Sequence, residues 1–449
     1  MEKQNSTDAI NHASIPSLRF PEFEGEWEKK KLGEVVKINQ GLQIAISERL
    51  TEQVEGSYFY ITNEFLKKNS EKKYFIKNPS RSVLCNKEDI LMTRTGNTGM
   101  VVTNVEGAFH NNFFKVAYPK YISKIFLYNF LKLEKTQNAI LKMAGTSTIP
   151  DLNHSDFYRI TLHFPSLIEQ TKIANFLTAV DEKIQFLKKK KKGLEEYKKG
   201  VMQGLFSNRR DAINRVSTDA DVVSGANMGA DMGAVSGADR DAQLGVCTDV
   251  DMGAGADMGT GRDAINRVFT DADGKPYPDW EVKKLGEVCV IKKGEQLNKE
   301  ELTEIGNYPC LNGGINYSGF TDKFNSDENT ITISEGGNSC GYINFMNTKF
   351  WLGGHCYKIV LNTETNLMYF YQLLKYNQEK IMQLRVGSGL PNIQQKDLRN
   401  FEFLICNSLP EQTKIANFLS AIDEKINHTT IQIYNTEQWK KGLLQKMFV

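Results

Sequence analysis

The chain has 449 residues, 40% of them hydrophobic, and a formal net charge of +2. This length predicts two or three globular domains, and no run reaches the roughly 18 apolar residues of a membrane span. The seven cysteines are odd in number and form no C-x-x-C pair, which argues against zinc and against a disulfide framework and favours a cytoplasmic protein.

The first globular domain is predicted at residues 26–165, after a loose tail at 1–25 that has no apolar secretory segment. It opens with WEKKKLGEVVKINQG, Trp27–Gly41. Short β-branched and aromatic runs alternate with turn residues, a pattern typical of strands, and a helical pattern follows. The strands are predicted at Tyr58–Thr62, Ile90–Thr93, Met100–Val105 and Phe113–Tyr118, and the helix at Ile122–Met143.

A long helix is predicted at residues 166–206, and its first half occurs twice in the chain. EQTKIANFLTAVDEKI at 169–184 and EQTKIANFLSAIDEKI at 411–426 agree at 14 of 16 positions, which indicates an internal duplication. Apolar residues recur in steps of four and three, the period of a coiled coil. The residues predicted to form helix–helix contacts or to dock other subunits are Ile173, Leu177, Val180, Ile184, Leu187, Leu194, Ile415, Leu419, Ile422, Ile426, Ile433 and Leu443.

The two copies are expected to pack on each other as an antiparallel coiled coil, because a duplication favours a pseudo-two-fold arrangement. The alternative is two ordinary amphipathic helices, each packed on its own domain.

Residues 207–274 have a different composition and are predicted to form a flexible repeat linker rich in Asp, Gly, Ala and Met. From Ser207 to Asp273 there are 12 Asp and 6 Arg without Lys or Glu, a net charge of −6, so the other residues carry +8. A basic body of this kind is attracted to polyanions.

The second globular domain is predicted at 275–407, and the second long helix at 408–449. The domain opens with WEVKKLGEVCVIKKG, Trp280–Gly294, which parallels Trp27–Gly41 at a constant offset of 253 residues. Its strands are predicted at Thr330–Ser334, Tyr342–Phe345 and Cys356–Leu361, and its helix at Leu367–Leu384. A repeated frame with a different interior predicts one mixed α/β (α+β) scaffold that carries two specificities.

No catalytic constellation is recognisable. The sequence has no phosphate-binding P-loop, no paired-proline aromatic motif of an amino-methyltransferase, and no metal-ligand spacing among its six histidines. The chain is therefore expected to be non-catalytic and to hold no cofactor or metal of its own.

Gly-rich turns that carry short polar side chains are candidates for DNA contact. TRTGNTG at 93–99 and SEGGNSCG at 334–341 are joined by two later Gly-Ser/Thr turns at 144–152 and 386–393. Glycine allows close backbone approach, and such side chains bond to base edges and phosphates. The alternative is that these are hairpin turns and nothing more. The candidate DNA-binding residues are Arg94, Thr95, Asn97, Thr98, Thr146, Ser147, Glu335, Asn338, Ser339, Tyr342, Arg385 and Ser388.

These features together resemble the specificity subunit of a type I restriction–modification system. The resemblance rests on RFPEFEGEWEKKKLGEV and YPDWEVKKLGEV, on both EQTKIANFL…DEKI segments, and on the helix endings LEEYKKGVMQGLFS and WKKGLLQKMFV. It covers nearly the whole chain except 207–273.

The resemblance implies two target-recognition domains, each binding one half of a split double-stranded DNA target, joined by two helices that set the gap. It also implies two modification subunits, which carry S-adenosylmethionine and methylate adenine, and restriction subunits, which use ATP and Mg. Three alternatives remain: an orphan specificity protein without active partners, a coiled-coil adaptor that binds proteins, and a self-contained methyltransferase, which the missing cofactor motifs disfavour.

Overall fold

The computed structural model describes residues 14–67, 70–145, 150–206 and 270–449, apart from 272, 274, 276, 279, 388 and 390. The described chain divides into two compact units. Unit 1 comprises the described residues of Met1–Lys188 and Ile431–Val449, and unit 2 those of Lys189–Thr430. Of the linker predicted at 207–274, only Thr270, Asp271 and Asp273 are described.

Unit 1 contains two four-stranded sheets and a two-stranded ribbon. The strand orders are β2-β9-β6-β7, β4-β3-β8-β5 and β1-β10, and only β3 and β8 pair in parallel. The elements are β1 Glu28–Lys31, α1 Leu32–Val35, β2 Lys37–Gln40, β3 Ser57–Ile61, β4 Phe75–Lys77, β5 Leu84–Cys85, β6 Ile90–Thr93, β7 Val101–Val102, β8 Gly107–Phe109, β9 Phe113–Ala117, α2 Lys124–Lys132, α3 Glu134–Ala144, α4 His154–Arg159 and β10 Thr161–Phe164; the long helix α5, Leu167–Phe206, begins here.

Unit 2 repeats this plan with one strand fewer in the second sheet. Its strand orders are β12-β18-β15-β16, β14-β13-β17 and β11-β19. The elements are β11 Glu281–Lys284, α6 Leu285–Val288, β12 Cys289–Lys293, β13 Tyr308–Leu311, β14 Gly319–Thr321, β15 Thr330–Ser334, β16 Ile343–Met346, β17 Trp351–Leu352, β18 Cys356–Leu361, α7 Leu367–Tyr376, α8 Gln378–Met382, α9 Gln395–Asn400, β19 Glu402–Ile405 and the long helix α10, Leu409–Met447. The predicted mixed α/β class is confirmed for both units.

The duplicated frames end at glycines for a steric reason. A Cβ atom built on Gly41 would overlap the carbonyl oxygen of His110, and one built on Gly294 would overlap that of Gly353. Only glycine lets the chain leave β2 or β12 so close to a neighbouring loop, so both copies keep it.

The Glu–Gln pair that opens each repeated helix anchors that helix to the sheet domain of its unit. Glu169 accepts hydrogen bonds from the indole Nε1 of Trp27 (3.3 Å) and from Nε and Nη2 of Arg19 (2.8 Å each). In unit 2, Glu411 accepts from Nε1 of Trp280 at 3.2 Å. These buried bonds explain why Trp and Glu recur together in the two frames.

The glutamine that follows accepts a hydrogen bond from the backbone N–H at the start of a second helix. Gln170 Oε1 accepts from the backbone N–H of Ser123, the N-cap of α2, at 2.8 Å. Gln412 Oε1 accepts from Asn366, the N-cap of α7, at 2.7 Å. The identity of the repeated segments at these positions therefore has a bonding cause in each unit.

Within each unit, α5 and α10 pack against each other. In unit 1, Asp181 pairs with Lys440 (2.5 Å) and Lys188 with Glu437 (2.7 Å), so residue numbers rise on one helix as they fall on the other. In unit 2, Lys198 pairs with Asp423 at 2.6 Å. The predicted antiparallel pairing of the repeated helices is confirmed within the units.

Most of the predicted seam residues are buried. Those that lie in the core are Ile173, Leu177, Val180, Ile184, Leu187 and Leu443 in unit 1, and Ile415, Leu419 and Ile422 in unit 2. The half-buried ones are Leu194, Ile426 and Ile433. Burial is therefore strongest where the helices also meet the sheet domains.

Two helices predicted as continuous are each broken. The stretch Ile122–Met143 forms α2 and α3 with a break at Leu133, where the side chain of Gln137 donates to the freed Leu131 carbonyl (2.6 Å). The stretch Leu367–Leu384 breaks at Asn377, whose side chain donates to the Leu373 carbonyl. Periodicity does not register these breaks, because they depend on side-chain bonds to the backbone.

The strand predicted at Met100–Val105 is only Val101–Val102 in the structure, because Asn104 adopts a positive φ of 58° that ends it. None of the helices in the described part of the chain has the length and apolar character to cross a membrane.

Candidate nucleic-acid interface

A set of loops lies at one end of the strands in unit 1 and is held together by backbone hydrogen bonds. The Arg94 N–H donates to the Asn112 carbonyl (2.8 Å), and the Leu152 N–H donates to the Arg94 carbonyl (3.0 Å). The Leu42 N–H donates to the Phe109 carbonyl at 2.9 Å. We name this surface loop surface 1 and define it as residues 40–43, 62–63, 94–99, 110–112 and 150–154.

Unit 2 builds the same set of loops with the same bonds. Glu335 N–H donates to the His355 carbonyl (2.8 Å), and Ile393 N–H donates to the Glu335 carbonyl (2.9 Å). Glu295 N–H donates to the Leu352 carbonyl at 2.9 Å. Loop surface 2 is defined as residues 293–296, 312–313, 335–341, 353–355 and 391–395. Glu335 is thus the structural equivalent of Arg94.

The side chains at equivalent positions differ in charge and in bonding partner. The equivalent pairs are Gln40 and Lys293, Arg94 and Glu335, Asp151 and Asn392, and His154 and Gln395. The backbone frame is therefore constant while its hydrogen-bonding groups are not.

In the turn of loop surface 1, Arg94 is held by a carboxylate. Its Nε donates to Asp151 Oδ1 (2.9 Å) and its Nη2 to Asp151 Oδ2 (2.5 Å), and the hydroxyl of Thr95 also donates to Asp151. The Arg94 guanidinium is the main cause that lowers the pKa of the Asp151 carboxyl. The Arg94 side chain stays 26% exposed.

The two remaining predicted residues of this turn differ in exposure to solvent. Asn97 is exposed and adopts a φ of 62°. Thr98 is buried, and its hydroxyl donates to the carbonyls of Arg94 and Pro150, so it stabilises the turn from inside. Thr146 and Ser147 lie outside the described residues.

In the turn of loop surface 2, Glu335 is mostly buried. Its Oε1 accepts from Lys293 Nζ (2.7 Å) and from the hydroxyl of Tyr357 (2.8 Å). Burial and the Glu335 carboxylate both raise the pKa of Tyr357. The Ser339 hydroxyl donates to the Gly313 carbonyl, which ties this turn to the loop after β13.

The other predicted residues of unit 2 lie around this turn. Asn338 and Arg385 are exposed. The Lys375 ammonium lies over the ring of Tyr342, with Nζ 4.3 Å from the ring centroid. Lys375 Nζ also donates to the Ile343 carbonyl. Burial lowers the pKa of Lys375 to about 8. Ser388 lies outside the described residues.

Several polar residues of loop surface 1 were missed by sequence reasoning. Asn63 Nδ2 donates to the Thr95 and Gly96 carbonyls (3.1 Å each), and Asn111 Nδ2 donates to Gln43 Oε1 (2.8 Å). The signal that could have found Gln43 is its position just after the point where the duplicated frames end and the copies diverge.

The loop surfaces offer hydrogen-bond donors and acceptors rather than reactive groups. The described residues contain no cluster of His, Cys, Asp and Glu able to hold a metal ion. Burial raises the pKa of the Cys356 thiol, beside loop surface 2, to about 12, and lowers that of His110 to about 4. His110 Nδ1 accepts from the Asn112 N–H at 3.0 Å, as a neutral imidazole does.

Comparison with known proteins gives one consistent result. A family model described as type I restriction modification DNA specificity domain matches residues 24–196 and 277–436. A putative type I specificity subunit of Mycoplasma pneumoniae is 37% identical over 172 residues, which cover 38% of this chain and 46% of that protein. A type I restriction enzyme specificity subunit of Methanocaldococcus jannaschii is 28% identical over 224 residues, 47% of this chain and 51% of that protein. The chain thus spans about half the length of these curated relatives.

A solved structure shares the fold over nearly the whole chain. The S subunit of a type I restriction–modification system from M. genitalium matches with a TM-score of 0.60 at 18% identity, covering 97% of this chain and 99% of that one. At this identity the similarity is one of fold.

Proposed function

The chain belongs to the type I restriction modification DNA specificity family, and from this premise we propose that it is the DNA-recognition subunit of a type I restriction–modification complex. Unit 1 and unit 2 each recognise one half of a bipartite double-stranded target, through loop surfaces 1 and 2. The chain itself is non-catalytic.

The observation that carries this proposal is the repeated backbone frame with exchanged side chains. The same backbone bonds position Arg94 in one unit and Glu335 in the other. A protein that binds two different base sequences with one scaffold needs this combination, because base identity is distinguished by donors and acceptors at base edges. A protein-binding adaptor has no need for two polar loop surfaces of matched geometry.

Charge supports a polyanionic ligand. Outside the segment from Ser207 to Asp273 the chain carries a net charge of +8. Lysines supply the sequence-independent part of DNA binding by neutralising phosphates, while the loop residues supply discrimination between bases.

We assign the paired helices α5 and α10 to a second role, the docking of two modification subunits. Those subunits bring S-adenosylmethionine and methylate adenine, and restriction subunits bring ATP and Mg. The buried seam residues keep the helices paired, while exposed apolar residues such as Phe186 (63% exposed) and Tyr434 (62%) are available to partners. The assembly works on DNA in the cytoplasm.

The proposal is tested by selecting bound duplexes from a randomised pool with the chain and its modification subunits. We expect a split motif with two specified halves. Affinity for the selected duplex should fall steeply with salt, with a slope of log K against log salt of about −0.9 per neutralised phosphate. Failure to enrich any sequence, together with salt-independent binding, would contradict the proposal and favour a protein-binding adaptor.

A further inference from the structure

We infer that Arg94 recognises a guanine in the half-site bound by unit 1, and that Asp151 positions it for this contact. The inference rests on the proposed function and names one base of its target.

The hydrogen-bonding pattern leaves the correct edge of the guanidinium free. An arginine has five N–H donors in a fixed plane. Asp151 uses the Nε–H and one Nη2–H. The second Nη2–H and both Nη1–H groups remain, and among the described residues nothing accepts from Nη1. These groups form the edge of the guanidinium plane that is not bonded to Asp151.

Guanine is the base that this edge fits. In the major groove it presents two adjacent acceptors, O6 and N7, and a bidentate arginine is the commonest specific contact with them. Adenine presents a donor beside N7, and the major-groove edges of thymine and cytosine do not offer two adjacent acceptors either. A guanidinium with two free parallel N–H groups therefore distinguishes guanine from the other three bases.

The arginine is already fixed before DNA arrives. Its carbonyl accepts from the Leu152 N–H and the Thr98 hydroxyl, and its carboxylate partner is itself held by Thr95. A side chain fixed in this way loses little conformational entropy on binding, which strengthens the contact.

The turn does not need this ion pair in order to fold. The equivalent turn of unit 2 keeps the same backbone bonds with Glu335 in place of Arg94. There the carboxylate bonds to Lys293 and Tyr357. The Arg94–Asp151 pair is therefore particular to unit 1, and its partial exposure indicates a role towards a ligand rather than in the core.

The first test uses the unaltered protein with its modification subunits and the duplex obtained by selection. Each guanine of the two halves is replaced in turn by 7-deazaguanine, which lacks the N7 acceptor. One guanine, in one half only, should show weakened binding to the wild type, and Arg94→Ala should bind the normal and modified duplexes equally. This dependence on a single base atom would not arise from a purely structural role.

The second test compares variants on duplexes in which that guanine is replaced by adenine. Arg94→Ala should lower the preference for guanine by about 5- to 140-fold, because it loses the bidentate contact. Asp151→Asn should lower it less, because the arginine remains but is less firmly oriented. The matched control is Arg159→Ala, another arginine paired with an aspartate (Asp156, 3.1 Å) but lying outside loop surface 1; it should leave the preference unchanged.

The outcomes separate the inference from the proposed function. If the wild type selects a split motif but no guanine shows an Arg94-dependent N7 effect, the guanine assignment is wrong. If no split motif is selected at all, the proposed function itself fails.

Discussion

Arg19 and Glu169 form the most buried ion pair of unit 1, with side chains only 13% and 2% exposed. The pair connects the segment before β1 to the start of α5. Arg19 lies in the stretch 1–25, which the sequence predicts to be a loose tail. Trp27 donates the remaining hydrogen bond to the carboxylate. A carboxylate at this depth depends on its cation, because an unpaired buried charge is strongly destabilising.

Arg19→Ala should therefore lower the free energy of unfolding of unit 1 by about 3 kcal/mol. Arg159→Ala removes a pair whose arginine is 69% exposed and should cost less than about 1 kcal/mol. Urea unfolding of the two variants measures the difference. Equal stability of the two variants would mean that Arg19 does not support the carboxylate.

Lys375 predicts a pH dependence in unit 2. Burial is the main cause that lowers the pKa of its amine to about 8; the nearby Lys198 also lowers it, and Asp423 opposes this. Its ordinary pKa in an unfolded chain is about 10.4. Between these values the unfolded chain binds more protons than the folded unit, so stability rises with pH across that window.

The free energy of unfolding of the wild type relative to Lys375→Met should therefore rise between pH 8 and 10 by up to about 1.4 kcal/mol per pH unit. Urea unfolding of unit 2 at several pH values measures it. A difference that is flat, or that falls with pH, would show that the amine is not held at a lowered pKa.

At the scale of elements, the duplicated frames are the part of the fold that sequence predicted best. The recurrence of Trp, Gly and the EQTKIANFL segment reflects bonds that both units need, and the predicted strands at Ile90–Thr93, Thr330–Ser334 and Cys356–Leu361 match the observed bounds. The breaks at Leu133 and Asn377 were missed because they depend on side-chain bonds that a period does not record.

The candidate site was only partly predictable for a related reason. The turn residues Arg94, Asn97, Glu335 and Asn338 do lie on the loop surfaces. The partners of Arg94 and Glu335, namely Asp151 and Lys293, are 57 and 42 residues away in the chain, and only the fold brings them together. Whether the exposed residues contact bases stays a prediction.

The glycines at the frame ends give a prediction for a single element. Gly41→Ala should destabilise unit 1 by at least about 1 kcal/mol, because its Cβ would overlap the His110 carbonyl. Gly442→Ala, in α10 with open space around it, should instead stabilise unit 1 by about 0.5–1 kcal/mol through helix propensity. Thermal denaturation of both variants is the measurement, and opposite shifts in Tm are expected; shifts of the same sign would refute the steric account.

At the scale of the whole molecule, each unit binds one half of a DNA target in the proposed function. Each unit contains two sheets and a two-stranded ribbon of matching plan, with one strand fewer in the second sheet of unit 2, together with one loop surface and a stretch of both long helices. Loop surfaces 1 and 2 differ in charge at equivalent positions, so the two halves of the target should differ in base sequence. Changes in one loop surface should then alter one half and leave the other intact.

The most direct measurement is a map of N6-methyladenine in a methylation-free bacterial host that expresses the chain with its modification subunits. We expect one split motif for the wild type. Arg94→Ala should relax one half of that motif only, and Asn338→Ala should affect only the other. Three results would contradict the assignment of one half-site to each unit. They are a contiguous motif, a methylation map that is the same with and without the chain, and a variant that alters both halves together.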